Sequence, residues 1–233
     1  MTSGEDLLLL AIEPRSGLIR EADRVKFSLR ASALVDLALA HRITMNANRI
    51  KVLDEAATGD KRLDGALASL GALSTPSLRA WLKGTPPGYG IINEYLSGLA
   101  DQGAVRLEHR RDRGAAPMQA ALVDQARRDE AAARVDRVAR GRDGDEGADA
   151  DRALAALVHS CGLDRHLYRS PLARRRLARL GGGETGAALA TADAEVADAI
   201  GRAVSDGVAQ LTTELVKLLH YEHRIEGNPT QPW

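Results

Sequence analysis

The chain has 233 residues, 44% hydrophobic and 27% charged, a usage that excludes a disordered polymer and supports a buried core. Its 32 Lys and Arg cancel its 32 Asp and Glu, so no overall field draws it to nucleic acid or acidic lipid, and any polyanion contact must use a local basic patch. Aromatics are only 3%, which leaves Leu, Ala, Val and Ile to build the core and favours helices over strands. The single Cys161 cannot close an intrachain disulfide, and Glu5 and Asp6 stand where a secretory signal would carry positive charge, so a reducing cytoplasm is expected.

In chain order, Ser3 before Glu5, Asp6 and the run 7–12 reads as a capped helix start, with acids at the positive dipole end. That run is the longest aliphatic stretch and falls far short of the ~20 residues a membrane-spanning helix needs. Pro14 and Gly17 break it. Leu29, Ala33, Leu37 and Ala40 then share one face of a helix over 26–41. Alternation in 43–45 and 50–52 around Asn46 and Asn48 predicts a small hairpin. Helical spacing returns at Leu63, Ala66, Leu67 and Leu70. Asp60 is placed to cap that helix and Gly59 to turn before it. A short helix over 78–82 carries Trp81 as a core residue, and another over 91–102 ends at Gly103.

A strand over 104–107 leads to a charged turn at 110–114. Residues 120–140 read as one long helix with interleaved charges, a solvated surface element whose cations need no ligand. Residues 141–149, rich in Gly, Asp and Glu, read as a flexible loop inside a single domain spanning 1–233. Helices follow at 150–160, 172–180 and 192–220, interrupted by Gly181, Gly182 and Gly183. The expected fold class is therefore mainly α: one compact helical domain with small β-hairpins.

Three stretches invite chemistry and read more simply as structure. The glycines at 181–186 lack the Lys and Ser/Thr that complete a phosphate loop and serve as a linker. His220 and His223 near Glu222 lack the spacing of zinc hydrolases and read as a solvated helix end, so no metal is expected. Ser160 and Cys161 beside His159 sit on a helix rather than in the strand-to-helix elbow of a nucleophile, and Cys161 reads as a small core residue. No catalytic residue and no cofactor are expected. Two basic clusters, Arg110, Arg111 and Arg113 in the hairpin turn and Arg174, Arg175, Arg176 and Arg179 on the 172–180 helix, could meet phosphates.

The order of elements says more than any one site. Its carriers are Leu7-Leu8-Leu9-Leu10-Ala11; Leu29-Arg30 followed by Leu37-Ala38-Leu39 and Arg42-Ile43; and Thr58-Gly59-Asp60 with Leu63-Asp64 and Ala66-Leu67 behind it. Leu99-Ala100-Asp101-Gln102-Gly103 and the helix over 153–163 continue the pattern. Together they resemble the Golgi phosphoprotein 3 family of phosphoinositide-binding peripheral membrane adaptors. The resemblance covers most of the chain, with 192–233 matching least well. It implies a helical core with a protruding hairpin, no enzyme activity, and binding of phosphatidylinositol 4-phosphate headgroups together with membrane or protein partners.

One family headgroup arginine matches Arg30, a forked and permanently charged phosphate donor. The family's tryptophan falls near Glu21 and its two later arginines near Tyr89 and Ile92, so the lipid site is expected to be altered. The hairpin segment 110–116 is short and charged, suited to headgroups rather than acyl chains. The headgroup-binding set is thus Arg30, Arg110, Arg111, Arg113, Arg174 and Arg175. Ala- and Arg-rich usage with few Lys points to a bacterial genome of high GC content. The rival readings are a winged-helix-like DNA-binding regulator, built on the 91–102 helix with its strand and basic turn, and a purely structural partner-binding protein. Zero net charge and apolar residues on the supposed reading helix count against nucleic acid.

Overall fold

The computed structural model describes residues 2–46, 49–73, 81, 88–108, 119–142 and 148–180. In chain order these form α1 (Ser3–Ala11), α2 (Ala22–Leu39), β1 (Ile43–Asn46), β2 (Arg49–Val52), α3 (Lys61–Gly71) and α4 (Gly90–Asp101). Then come β3 (Val105–Glu108), β4 (Gln119–Leu122), α5 (Gln125–Ala139), α6 (Ala148–Ser160), α7 (Asp164–Leu167) and α8 (Pro171–Leu180). The fold is mainly helical, with two separate antiparallel hairpins that pair Ile43 with Val52 and Val105 with Leu122 at their open ends.

The first helix is the centre of the packing. All nine residues of α1 are buried, and α2, α4, α5 and α6 close around it. A run of Leu7, Leu8, Leu9, Leu10, Ala11 and Ile12 has no polar face to turn outward, so only a fully surrounded position suits it. Each large side chain there contributes about 1.5–3 kcal/mol by leaving water. Close approach is part of the design: a Cβ at Gly4 would lie 2.4 Å from Ser32 Oγ on α2 and 2.6 Å from the Tyr95 ring on α4.

The cap of α1 is Thr2 rather than Ser3. The Thr2 hydroxyl accepts from the Glu5 N–H while the Glu5 carboxylate accepts from the Thr2 N–H, a reciprocal capping box. The Ser3 N–H instead donates to both oxygens of Asp36 on α2, at 3.0 and 3.2 Å.

The expected 120–140 helix divides in two. Gln119–Leu122 is strand β4, and α5 begins only after Asp124, whose carboxylate accepts from the Arg127 N–H. Nor is α5 a solvated rod, since Ala131, Val135, Val138 and Ala139 are buried against its neighbours. The 26–41 helix starts earlier, at Ala22, and Asp149 belongs to α6 rather than to the loop at 141–149. Trp81 and Cys161 are core residues, as their types suggested. The rest of the 78–82 helix, the turn at 110–114, residues 143–147 of the loop and the 192–220 helix lie outside the described residues.

Burial pushes Asp36 up to about 6, from the ordinary 3.8, against the hydrogen bonds from Ser3, with the Asp6 charge adding to the rise. Between those values the folded chain holds a proton that the unfolded chain releases. The stabilisation tied to that proton is therefore complete below about pH 4 and lost as pH rises through about 6. Asp36→Asn keeps an acceptor for Ser3 and removes the titration. In urea unfolding, the stability of wild type relative to Asp36→Asn should fall between pH 4 and pH 7, whereas a constant difference would show that Asp36 titrates normally.

Candidate functional site

A cavity of about 480 Å³ opens between α2, α3 and α4. Leu29, Arg30 and Ala33 line it from α2; Lys61, Arg62, Gly65, Ala66 and Ser69 from α3; Ile91, Glu94 and Tyr95 from α4; and Trp81 and Gly88 complete it. The α3 lining falls at 61, 65 and 69 and at 62 and 66, the helical spacing that stacks side chains on one face. Small residues at 65 and 66 leave the space open.

Trp81 organises one wall. Its indole N–H donates to Ser69 Oγ at 2.7 Å, and the Ser69 hydroxyl donates to the Ala66 carbonyl. Arg30 donates from Nη2 to the Trp81 carbonyl at 2.7 Å and lays its guanidinium 4.5 Å from the centre of the Trp81 ring. Burial alone lowers the Arg30 pKa from the ordinary guanidinium value, a sign that this charge has left bulk water.

Arg62 is different. Burial acts to lower its pKa, but hydrogen bonds to Asp60 and Glu5 outweigh that and raise it. Nη2 reaches Glu5 at 3.1 Å and Asp60 at 2.9 Å, and the guanidinium sits 4.3 Å from the centre of the Tyr95 ring. Its charge is matched from within the protein. The turn before α3 makes this possible: Gly59 takes φ +85°, Thr58 donates through N–H and hydroxyl to Asp64, and Asp60 caps the helix by accepting from the Arg62 N–H.

Of the residues singled out from sequence, Arg30 lies on the cavity wall. Arg174, half-buried, and Arg175, exposed, lie on α8, which packs on α5, α6 and α7 and does not line the cavity. Arg110, Arg111 and Arg113 lie outside the described residues. Glu21, at a left-handed φ of 51°, pairs with Arg24 and His166, Tyr89 donates to Asp23, and Ile92 is core. Sequence reasoning missed Lys61 and Glu94 altogether and saw Trp81 only as core. The 61/65/69 spacing was a signal for the first; nothing local marked the others as neighbours.

Of the stretches weighed for chemistry, the glycines at 181–186 and His220, Glu222 and His223 lie outside the described residues. Among the described residues, no group of three or more His, Cys, Asp and Glu is placed to hold a metal. His159 faces Asp164 at 3.0 Å, but Ser160 donates to the Leu157 carbonyl, and burial pushes the Cys161 thiol up to about 12, which disfavours a thiolate. For a winged helix, α4 faces the wrong way: Ile92, Tyr95, Leu96 and Leu99 are buried, and its exposed positions include Glu94 and Asp101. None of its described helices is long and apolar enough to cross a membrane.

The fold and cavity define a mainly helical protein with a cation-lined cleft between helices. Residues 4–209 match the family model described as Golgi phosphoprotein 3 (GPP34), and the chain belongs to that family. No curated protein matches it.

Asp60→Ala removes both a helix cap and a partner of Arg62, and should lower stability by about 0.5–2 kcal/mol in chemical unfolding. If stability is unchanged and ligand binding disappears, Asp60 is a ligand contact instead.

Proposed function

We propose that the protein is a peripheral membrane adaptor, not an enzyme, that holds an anionic lipid headgroup in the α2–α3–α4 cavity with Arg30 as the principal phosphate contact. Membership of the Golgi phosphoprotein 3 family supports the class. The observation that carries the site is Arg30, desolvated on the cavity wall and oriented by the Trp81 ring and carbonyl, with Lys61 lining the same space. Arg174 and Arg175 on α8, and Arg110, Arg111 and Arg113, would add non-specific attraction to a charged surface rather than recognition. The membrane would be met from the cytoplasmic side, and a protein partner would complete the adaptor role.

The family's aromatic and arginine positions fall near Glu21, Tyr89 and Ile92, none of which lines the cavity. The lipid site is altered accordingly, and selectivity for phosphatidylinositol 4-phosphate over other anionic lipids of equal charge is lost. Binding to anionic vesicles should weaken as salt shortens the screening length, since each basic residue near such a surface is worth ~1 kcal/mol. Flotation at low and high salt with charge-matched lipids tests this. Wild type should float at low salt, Arg30→Ala less, and no flotation on any anionic vesicle at low salt would remove the lipid reading.

A further inference from the structure

The cavity is not uniformly positive, and its charges divide by what already satisfies them. Arg62 is matched by Glu5 and Asp60, and Arg30 is held against Trp81. Lys61 and Glu94 are exposed, line the cavity from two different helices, and make no ion pair with any described residue. A site for a bare phosphate gains nothing from a carboxylate in its wall, because like charges repel across a few ångströms. A ligand that carries both signs uses both groups.

Resting on the headgroup reading above, we infer that the cavity accepts a zwitterionic phosphoamine of the phosphoethanolamine type, its phosphate toward Arg30 and Lys61 and its primary ammonium toward Glu94. The apolar walls at Ala66 and Ile91 suit the methylenes between the two charges. The aromatic rings argue for a primary ammonium over a methylated one. A quaternary ammonium needs open aromatic faces. Trp81 and Tyr95 are only 5% and 2% exposed, and each already has a guanidinium over its ring. Glu94, an acceptor of N–H donors, is what remains. The same chemistry is offered by a lipid headgroup and by a free phosphoamine.

Isothermal titration of the full chain with phosphoethanolamine, phosphocholine and glycerol 3-phosphate compares three phosphates that differ at the far end. An exposed ion pair contributes up to ~1 kcal/mol, so phosphoethanolamine should bind up to about fivefold tighter than the other two. Glu94→Gln, at an exposed position with no ion pair to any described residue, should abolish that preference while leaving glycerol 3-phosphate bound at least as well. Flotation on phosphatidylcholine vesicles with and without phosphatidylethanolamine then assigns the source. A gain that needs Glu94 marks the lipid, and its absence alongside the soluble preference marks the free phosphoamine.

Equal affinity for all three phosphates overturns the inference and leaves the anionic site standing. So does failure of all three while anionic vesicles still float the protein. If neither probes nor anionic vesicles bind, both readings fall.

Discussion

Two carboxylates at the centre of the helical core constrain most of this structure. Glu5 and Asp6 lie on α1, the one described helix buried along its whole length, and each must find partners there because an unpaired ion in such a place costs several kcal/mol. Arg62 from α3 and Arg127 from α5 donate to Glu5 at 3.1 and 2.9 Å, joined by Gln102 at 3.0 Å. Arg134 from α5 donates to Asp6 and to Asp151 of α6, and Arg137 donates to the same Asp151. Burial raises the Asp6 pKa against the pull of Arg134, whereas at Glu5 the hydrogen bonds from Gln102 and Arg62 overcome burial and lower it. The pairs add orientation more than net stability, since an apolar cluster of equal volume could hold the helices as well. They fix which face of α3 and α5 turns inward.

That orientation reaches the cavity. With Arg62 drawn toward Glu5 and Asp60, the next turns of the same α3 face present Gly65, Ala66 and Ser69 to the open space, and Ser69 receives the Trp81 indole. Trp81 in turn seats Arg30. The route from a buried acid on α1 to a cation on the cavity wall runs through Arg62, the α3 face that carries Ser69, and Trp81. The arginines therefore fall into two groups: Arg62, Arg127 and Arg134 pair with the buried acids of α1, and Arg30 lines the cavity.

Much of this was legible locally. The α1 run, the first hairpin, the strand at 104–107 and the turn at Thr58, Gly59 and Asp60 were read correctly because period, turn residues and caps act over a few positions. The α5 helix was misread for the converse reason. Its alternating charges resemble a solvated face, and the acids that bury Arg127 and Arg134 lie 122 and 128 residues away. The strand Gln119–Leu122 was absorbed into that helix because Ala and Leu carry no strand signal and its partner fixes it. Arg30 entered through a family resemblance, but Lys61, Trp81 and Glu94 come from three segments that only the tertiary fold brings together.

The claim that buried α1 acids organise the core is tested most directly by a double-mutant cycle on Asp6→Asn and Arg134→Gln in urea unfolding. Breaking a buried pair leaves one charge stranded, so Arg134→Gln alone should cost about 3–5 kcal/mol. The double variant, with no stranded charge at position 6, should recover about 1 kcal/mol or more relative to the sum of the singles. Single costs below about 0.5 kcal/mol that simply add would mean that the pair is incidental and that apolar packing alone orients the helices.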